Sequence, residues 1–154
     1  MAAVEATQTS RKGEPAWEIA RLFPEQGEWS EEEYLALTEG TNRLVEFSDG
    51  FVEVLRMPTL RHQLIVLFLY RLLFQFVMEQ GKGIVVTSPL RVRLWKGKVR
   101  EPDIVVMLAA HRDRAHNAYF DGADLVVEVV SEDDPQRDLV TKRDEYARAA
   151  IPEY

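Results

Sequence analysis

A long apolar segment, from about Arg61 to Glu79, constrains the fold more than any other feature of the sequence. Its residues are mostly Leu, Ile, Val, Phe and Tyr, and the polar residues Arg71, Gln75 and Glu79 recur at every fourth position. This spacing predicts one helix that carries a single narrow polar stripe and is buried on most of its sides. Such a helix either lies centrally against a sheet or meets a second subunit through residues 60–78, and the sequence leaves both alternatives open.

The composition is that of one ordinary globular domain. With 154 residues, 46% of them hydrophobic and 29% charged, the chain is long and apolar enough for a single core. It has no cysteine, which excludes disulfides, thiolate metal sites and cysteine nucleophiles. Its net charge of −7 argues against a protein that coats nucleic acid with its whole surface, because such binding neutralises phosphates with Lys and Arg.

The sequence predicts neither a membrane partner nor secretion. The longest uninterrupted apolar run, Leu64 to Tyr70, is too short to cross a bilayer. Residues Met1 to Arg11 lack the apolar core of a signal peptide, so the cytoplasm is the expected compartment.

The chain divides into a leader, residues 1–28, and a folded domain, residues 29–154. The leader has few periodic apolar positions and contains several Gly and Pro residues, so we expect it to be poorly ordered or loosely docked. Ser30 and Glu33 have the spacing of a capping box, which predicts a first helix at the start of the domain. The chain stops shortly after its last predicted helix, where such a domain would return to its sheet, so we expect a missing C-terminal strand or an unmatched sheet edge.

The order of the predicted elements gives the fold class. Asp49-Gly50 predicts the tight turn of a β-hairpin, and Asp134-Pro135 predicts the start of a last helix. Helix, hairpin, helix, strands and helix in this order predict an α/β (α+β) domain with a mixed sheet. The further strand candidates are Ile84 to Thr87, Leu90 to Leu94, Val99 to Leu108 and Leu125 to Val130.

Two acidic residues stand in otherwise apolar strand patterns. Pro102 cannot donate to a sheet ladder, so Asp103 is expected near a strand end, whereas Glu128 lies inside an apolar run. A buried carboxylate costs several kcal/mol unless it is paired, protonated or bound to a metal. Two carboxylates on adjacent strands suit Mg²⁺ or Mn²⁺ and metal-assisted phosphodiester hydrolysis. The alternative is structural: Asp103 caps a turn and Glu128 pairs with a buried Lys or Arg.

Three further residues are candidates with equally plain structural alternatives. Lys142 could orient a water nucleophile or stabilise negative charge, or it could form an exposed pair with Asp138 four residues earlier. Glu46 could be a third acid, although strict strand alternation would place it on the solvent side. His62 could contact phosphate, or it could only cap or pack at the start of its helix.

Cations alternate with apolar residues in the segment that leads to Asp103. This pattern predicts a hairpin with one basic face, which could follow a nucleic-acid backbone or could protect a sheet edge from aggregation. The candidate nucleic-acid-binding cations are Arg91, Arg93, Lys96 and Lys98, together with His62. No Gly-rich phosphate loop, zinc-type His cluster or Gly-x-Ser-x-Gly motif is present in the sequence, so kinase, zinc hydrolase and serine hydrolase activities lack support.

Taken together, these motifs resemble those of the restriction endonuclease family called Uma-two, in the PD-(D/E)XK nuclease superfamily. The resemblance spans about Trp29 to Tyr154. The motifs that carry it are Val45-Glu46-Phe47 with Asp49-Gly50, Pro58 with Arg61-His62-Gln63, Glu101-Pro102-Asp103, Val126-Val127-Glu128-Val129 with Ser131, and Asp138 with Lys142-Arg143 and Tyr146.

The resemblance implies a restriction-endonuclease-like fold and a Mg²⁺- or Mn²⁺-dependent endonuclease that acts on DNA. By resemblance, Asp103 and Glu128 bind the metal and Glu46 is an additional acid. The lysine position of the superfamily falls at Val130, so the resemblance moves the lysine role to Lys142 on the following helix. The alternative function is a non-catalytic interaction domain that keeps the fold and oligomerises, for example as a homodimer through the apolar helix 60–78.

Overall fold

The computed structural model describes residues 22–40, 43–131 and 134–154. Most of the predicted leader lies outside these ranges, and the proposed boundary at residue 28 stays a prediction. The described part of the leader packs on the first hairpin. Gln26 exchanges two side-chain hydrogen bonds with the backbone of Val52, at 2.7 and 2.9 Å, and the amide of Gly27 donates to Gly50 O at 2.8 Å.

The first helix and the first hairpin form as their local signals predict. Helix α1, Glu31–Glu39, begins with a complete capping box, because the Ser30 side chain accepts from the Glu33 amide and the Glu33 carboxylate accepts from the Ser30 amide. The hairpin turn has φ of 48° at Asp49 and 89° at Gly50. Such positive values suit the Asp-Gly pair of a tight hairpin turn.

The long apolar segment forms helix α2, Leu60–Leu73, which continues with wider π-helical turns over Phe74–Met78. Its inner side packs on the sheet through the buried residues Val66 and Val77. Its outer side is exposed, so the prediction that this helix is buried on most sides was wrong. The periodicity identified the helix but could not show that only one layer of structure covers it. By length and composition alone, Leu60–Met78 is apolar enough to cross a membrane.

The strands form two sheets rather than one. The predicted long strand from Val99 to Leu108 is divided, because Glu101-Pro102-Asp103 interrupts it and its two halves join different sheets. Pro102 lacks the amide that a continuous ladder needs, which accounts for the interruption. The five-stranded sheet has the order β2-β1-β5-β4-β7 and the three-stranded sheet the order β3-β6-β8. The strands are β1 Val45–Ser48, β2 Phe51–Val54, β3 Gly83–Thr87, β4 Val92–Trp95, β5 Lys98–Arg100, β6 Ile104–Leu108, β7 Phe120–Asp121 and β8 Leu125–Val127.

Strand pairing is mostly antiparallel, and β4 with β7 forms a parallel pair, so the predicted mixed α/β (α+β) fold is confirmed. Strand β6 separates two apolar clusters by the alternation of its side chains. Ile104 and Val106 face the inner side of α2, whereas Val105 and Met107 pack with Tyr146 and Val126 on the other side. The three-stranded sheet is therefore covered by helices on both faces.

The last helical segment begins as predicted, with Asp134 accepting a hydrogen bond from the Arg137 amide at 3.2 Å. It passes through wide π-helical turns over Arg137–Lys142 and ends as helix α3, Arg143–Arg148. The chain then lies beside β8, where the Val126 amide donates to Glu153 O at 3.0 Å. Along this path, the inner side of the last helical segment packs against the three-stranded sheet.

Candidate active site

The register of β6 and β8 brings Asp103 and Glu128 to the same end of the three-stranded sheet. The two strands are antiparallel, with Ile104 opposite Val127. Asp103 is the residue just before Ile104, and Glu128 is the residue just after Val127, so both residues lie at the same end of the sheet. The sequence placed Glu128 inside its strand, whereas the ladder ends at Val127.

Asp103 is held by one of its two oxygens. Its Oδ2 accepts the Val129 amide at 2.7 Å and lies 3.2 Å from Nε2 of His62. Burial raises the pKa of this carboxyl, although the hydrogen bond from Val129 and the proximity of His62 act in the opposite direction. The charged form is therefore destabilised by its surroundings.

Glu128 is held in the same one-sided way. Its Oε1 accepts from the Tyr146 hydroxyl at 2.6 Å and from Nζ of Lys142 at 3.0 Å. Burial raises the pKa of Glu128 to about 7, and Lys142 and Tyr146 only partly offset that effect. Near neutral pH, the negative charge of this carboxyl is thus not fully compensated, and a proton or a further cation would stabilise it.

The second oxygens of both acids are the kind of ligand that a hard cation prefers. Among the hydrogen bonds and ion pairs of the described residues, none involves Oδ1 of Asp103 or Oε2 of Glu128. Those residues also contain no group of three or more His, Asp or Glu side chains arranged to hold a metal. The protein would therefore supply two carboxylate ligands. Mg²⁺ is often bound in this way, with water and substrate phosphate completing its coordination.

Lys142 lies inside the site rather than on the surface. Its Nζ is 3.0 Å from Glu128 Oε1 and 3.1 Å from Asp138 Oδ1. The side chains of both partners and of the lysine itself are buried, so the alternative of an exposed Asp138–Lys142 pair was wrong. Burial alone would lower the pKa of Lys142, but the negative charges of Glu128, Glu46 and Asp138 raise it to about 12. The amine is therefore a fixed positive charge beside the two acids.

Glu46 is the centre of a buried ion-pair network. Its side chain is 1% exposed, so the solvent-side placement predicted by strand alternation was wrong. Its Oε2 contacts Arg100 and Arg137, each at 2.5 Å, and its Oε1 accepts the Glu101 amide at 3.2 Å. Burial opposes ionisation, but Arg100, Lys142 and Arg137 outweigh it and hold the pKa of Glu46 below its usual value. Both oxygens are thus occupied by protein donors.

The predicted basic face of the β4–β5 hairpin is largely paired within the protein. Arg93 binds Asp121 and Glu31, and Lys98 is buried against Glu145 and Ser48. Lys96 is exposed, and Arg91 is half-buried. The continuous cationic ribbon suggested by the alternation is therefore not formed, because Arg93 and Lys98 bind acidic side chains of the protein. Binding of nucleic acid by these side chains stays a prediction.

His62 and Arg91 share one unusual property. Nδ1 of His62 and Nη1 of Arg91 are buried and make no hydrogen bond with any described residue. His62 lies on the inner side of the first turn of α2, and its other ring nitrogen faces Asp103. Its proximity to the acids is the feature that a phosphate-contacting role requires.

Sequence reasoning missed most of the residues that position the site. Arg100 and Arg137 neutralise Glu46, and Glu145 binds Arg100 through both of its oxygens at 2.8 and 2.9 Å. Tyr146 follows Lys142 by one helical turn, a spacing that could have identified it as a partner of the same acid. For the arginines no local signal exists, because they are 54 and 91 residues from Glu46 in the chain.

Comparison with known proteins supports the fold. A structure from Anabaena variabilis ATCC 29413, described as a putative nuclease belonging to DUF820, has a TM-score of 0.61 and 21% sequence identity with this chain. The match covers 74% of this chain and 65% of that protein, so the chain spans less than two thirds of its length, and the likeness shows a shared fold. No curated protein matches the chain.

A family model identifies the chain more directly. The model of the Uma2 family, described as "Putative restriction endonuclease", matches residues 31–154, the region that contains both sheets and the candidate site. The family resemblance drawn from the motifs is thereby confirmed. The chain belongs to the Uma2 family of restriction-endonuclease-like proteins.

Proposed function

We propose that this protein is a divalent-metal-dependent endonuclease that hydrolyses phosphodiester bonds of DNA. The observation that supports it is the grouping of Asp103, Glu128 and Lys142 at one end of the three-stranded sheet, where one oxygen of each acid has no partner among the described residues. Two partly neutralised acids beside a protonated amine match the needs of phosphate chemistry, in which negative charge builds up on the transferred group. The fold and family agree with this chemistry.

In the proposal, Oδ1 of Asp103 and Oε2 of Glu128 hold Mg²⁺ or Mn²⁺. When bound, such an ion lowers the pKa of a water molecule and stabilises charge on a phosphate oxygen. Burial destabilises the ionised form of both carboxyls and raises their pKa values, so a metal ion would compensate their charge in competition with a proton. Tyr146 and Lys142 keep Oε1 of Glu128 engaged, which leaves the other oxygen for the ion.

Lys142 has the role of stabilising negative charge or orienting the attacking water. Its high pKa keeps it protonated, so it acts as a donor and not as a base. Glu46, proposed from the sequence as an assisting acid, acts through its neighbours. Its contacts with Arg100 and Arg137 fix two cations beside the metal-binding edge.

DNA and a second copy of this chain are the proposed partners, and the cytoplasm the proposed compartment. His62, beside Asp103, and the exposed Lys96 are the described candidates for contacts with the DNA backbone. The outer side of α2 is the surface we assign to the second copy. Because Arg93 and Lys98 are already paired with acidic side chains, we expect binding that is weak and depends only weakly on salt.

The decisive experiment is cleavage of plasmid and single-stranded DNA by the purified protein with Mg²⁺, with Mn²⁺ or with EDTA. We expect metal-dependent cleavage that falls about 10²–10³-fold or more in Asp103→Asn and Glu128→Gln, because each change removes charge stabilisation from the transition state. Binding of Mn²⁺, measured by calorimetry, should be lost in the same variants.

Asp124→Asn is the matched control. Asp124 also accepts a backbone amide at 2.7 Å and also contacts a histidine, His111 at 2.6 Å, but it lies at the opposite end of β6. Cleavage that Asp103→Asn and Asp124→Asn reduce equally would reject the assignment. Absence of both cleavage and Mn²⁺ binding in the wild type would instead favour the alternative, a non-catalytic domain whose acids are paired structurally.

A further inference from the structure

The outer side of α2 is an apolar surface on a helix whose inner side is already packed. Its large apolar side chains are between 39% and 76% exposed, which is unusual for so many neighbouring residues of one element. An open hollow of about 400 Å³ lies on the N-terminal half of this surface, lined by Leu60, Arg61, Leu64, Ile65 and Phe68. The residues of this outer face are Leu60, Leu64, Ile65, Leu67, Phe68, Leu72 and Phe76.

We infer that the outer face of α2 binds the same face of a second copy of this chain, about a two-fold axis that passes close to Phe68. This deepens the homodimer of the proposed function and does not depend on catalysis. It rests on the order of the exposed residues, on their area and on their surroundings.

The order of the exposed residues is self-complementary. Leu60, Leu64, Phe68, Leu72 and Phe76 are spaced by four, so they form one ridge along the exposed side of the helix. A two-fold axis at Phe68 places Leu64 of one copy opposite Leu72 of the other, and Leu60 opposite Phe76. The same axis places Arg61 opposite the amide side chain of Gln75. Each apolar side chain of the ridge therefore meets an apolar partner, as an isologous interface requires.

The exposed area is close to what a stable dimer needs. With roughly 150–200 Å² for each large apolar side chain, the outer face exposes on the order of 600 Å² of apolar surface per copy. A standard interface buries about 800 Å² per partner. Val54 and Met57, which precede the helix in sequence and are 56% and 87% exposed, are further exposed apolar side chains of this part of the chain.

The surroundings favour a protein partner over a lipid surface. The inner side of α2 is packed on β3 and β6, so lipid cannot surround the helix. Arg71 and Gln75 lie on the exposed side among the apolar residues, where a protein partner can accept their polar ends but a hydrocarbon layer cannot. The net charge of −7 also opposes approach to anionic lipid.

Single cysteines test the position of the axis, because the chain contains no cysteine of its own. In the presence of diamide, which oxidises two thiols to a disulfide, we expect Phe68→Cys to give a covalent species of twice the 17.8 kDa chain mass on a non-reducing gel. Leu139→Cys is the matched control, because Leu139 is 52% exposed, as is Phe68, but lies on another element. Equal cross-linking of the two variants would overturn the inference.

Sedimentation of unmodified protein at about 100 μM, a concentration above most homodimer dissociation constants, gives the second test. We expect a dimer for the wild type and for Leu139→Glu, and a folded monomer for Phe68→Glu, with circular dichroism as the check on folding. A monomeric wild type, or a dimer that Phe68→Glu leaves intact, would overturn the inference. The inference would also be overturned if the wild type is a monomer that sediments with neutral phospholipid vesicles and Phe68→Glu abolishes that sedimentation. None of these results affects the cleavage assay of Asp103→Asn, so the dimer and the proposed function are tested separately.

Discussion

Tyr34 and Tyr146 each donate one hydrogen bond from the hydroxyl group, and of these two bonds only that of Tyr146 ends on a residue of the candidate site. Both side chains are fully buried. The Tyr34 hydroxyl donates to Val45 O at 2.8 Å, whereas the Tyr146 hydroxyl donates to Glu128 Oε1 at 2.6 Å. Tyr146 therefore orients a carboxylate that is proposed to bind metal, while Tyr34 only joins a helix to a strand.

This pair gives a test at the scale of one hydroxyl group. We expect Tyr146→Phe to weaken Mn²⁺ binding about 10-fold, because loss of a group that orients a metal ligand costs roughly 10–100-fold in affinity. Tyr34→Phe should leave Mn²⁺ binding unchanged, although each variant loses about 1 kcal/mol of stability with its hydrogen bond. Calorimetric titration with Mn²⁺ measures the first effect and urea unfolding the second. Equal affinities in the two variants would mean that Tyr146 is only structural.

A second residue-scale prediction concerns Glu101, whose pKa is raised to about 7 by burial and by the nearby charge of Glu46. Its unfolded pKa is near 4.5. Because the folded value is the higher one, the folded state binds the proton more tightly, and its relative stability falls as pH rises from about 4.5 through 7. In EDTA, we therefore expect Glu101→Gln to lose less stability than the wild type between pH 5.5 and pH 8, as measured by urea unfolding.

Glu145→Gln is the opposite case. Burial opposes its ionisation, but Arg100 and Lys98 hold the pKa of Glu145 below its usual value. Its contribution to stability is present above the unfolded pKa and is lost only as pH falls through the folded one. The substitution should thus destabilise the protein to a similar extent at pH 5.5 and at pH 8. A Glu101→Gln variant with the pH dependence of the wild type would contradict the assignment to Glu101.

At the scale of elements, the pairing of β3 with β6 fixes the position of Asp103, because Thr87 pairs with Ile104 and the Ser88 amide donates to Asp103 O at 3.1 Å. The other end of this ladder begins at Gly83. A Cβ atom on Gly83 would lie 2.3 Å from Met107 O, a distance that backbone atoms cannot accept without a shift of the strand. The close approach of the two strands therefore depends on glycine at this position.

We expect Gly83→Ala to destabilise the protein by about 1–3 kcal/mol, the usual cost of overpacking. Gly40→Ala is the matched control, because no atom lies within 4 Å of its Cβ position and its φ is −96°. That variant should stay within about 0.5 kcal/mol of the wild type. Thermal unfolding of the two variants tests the prediction, and similar melting temperatures would show that β3 adjusts without cost.

The elements also show which parts of this structure a sequence can predict. The capping box at Ser30, the Asp49-Gly50 turn and the start of the last helix depend on residues within four positions of each other, and all three formed as predicted. The exposure of α2 and the burial of Glu46 depend on distant partners. Arg137, which neutralises Glu46, is 91 residues away, so no local pattern contains that information.

For the whole molecule, the candidate site is a place where folding accepts an electrostatic cost. Asp103 is a partly buried and Glu128 a buried carboxyl, both have raised pKa values, and each leaves one oxygen without a protein partner among the described residues. Stability alone would not favour this arrangement, since buried acids are usually fully paired. In the proposed function, a bound cation would offset the remaining cost, and the stability of the fold would then depend on the metal.

The stability of the protein should therefore depend on both metal and Asp103. We expect Mg²⁺ at about ten times its dissociation constant to add about 1.4 kcal/mol, which corresponds to roughly 2–5 °C in melting temperature for a chain of this size. In EDTA, Asp103→Asn should melt at or above the wild-type temperature, because it removes a destabilised buried charge, and it should no longer respond to Mg²⁺.

Asp124→Asn separates this behaviour from a general effect of removing an acid. Asp124 is paired with His111 and with the Leu108 amide, so its loss should lower the melting temperature while the response to Mg²⁺ is retained. Differential scanning fluorimetry of the three proteins in EDTA and in Mg²⁺ is sufficient for the comparison. If Asp103→Asn is destabilised in EDTA to the same extent as Asp124→Asn, then Asp103 is an ordinary structural acid and the two carboxyls do not form a metal site.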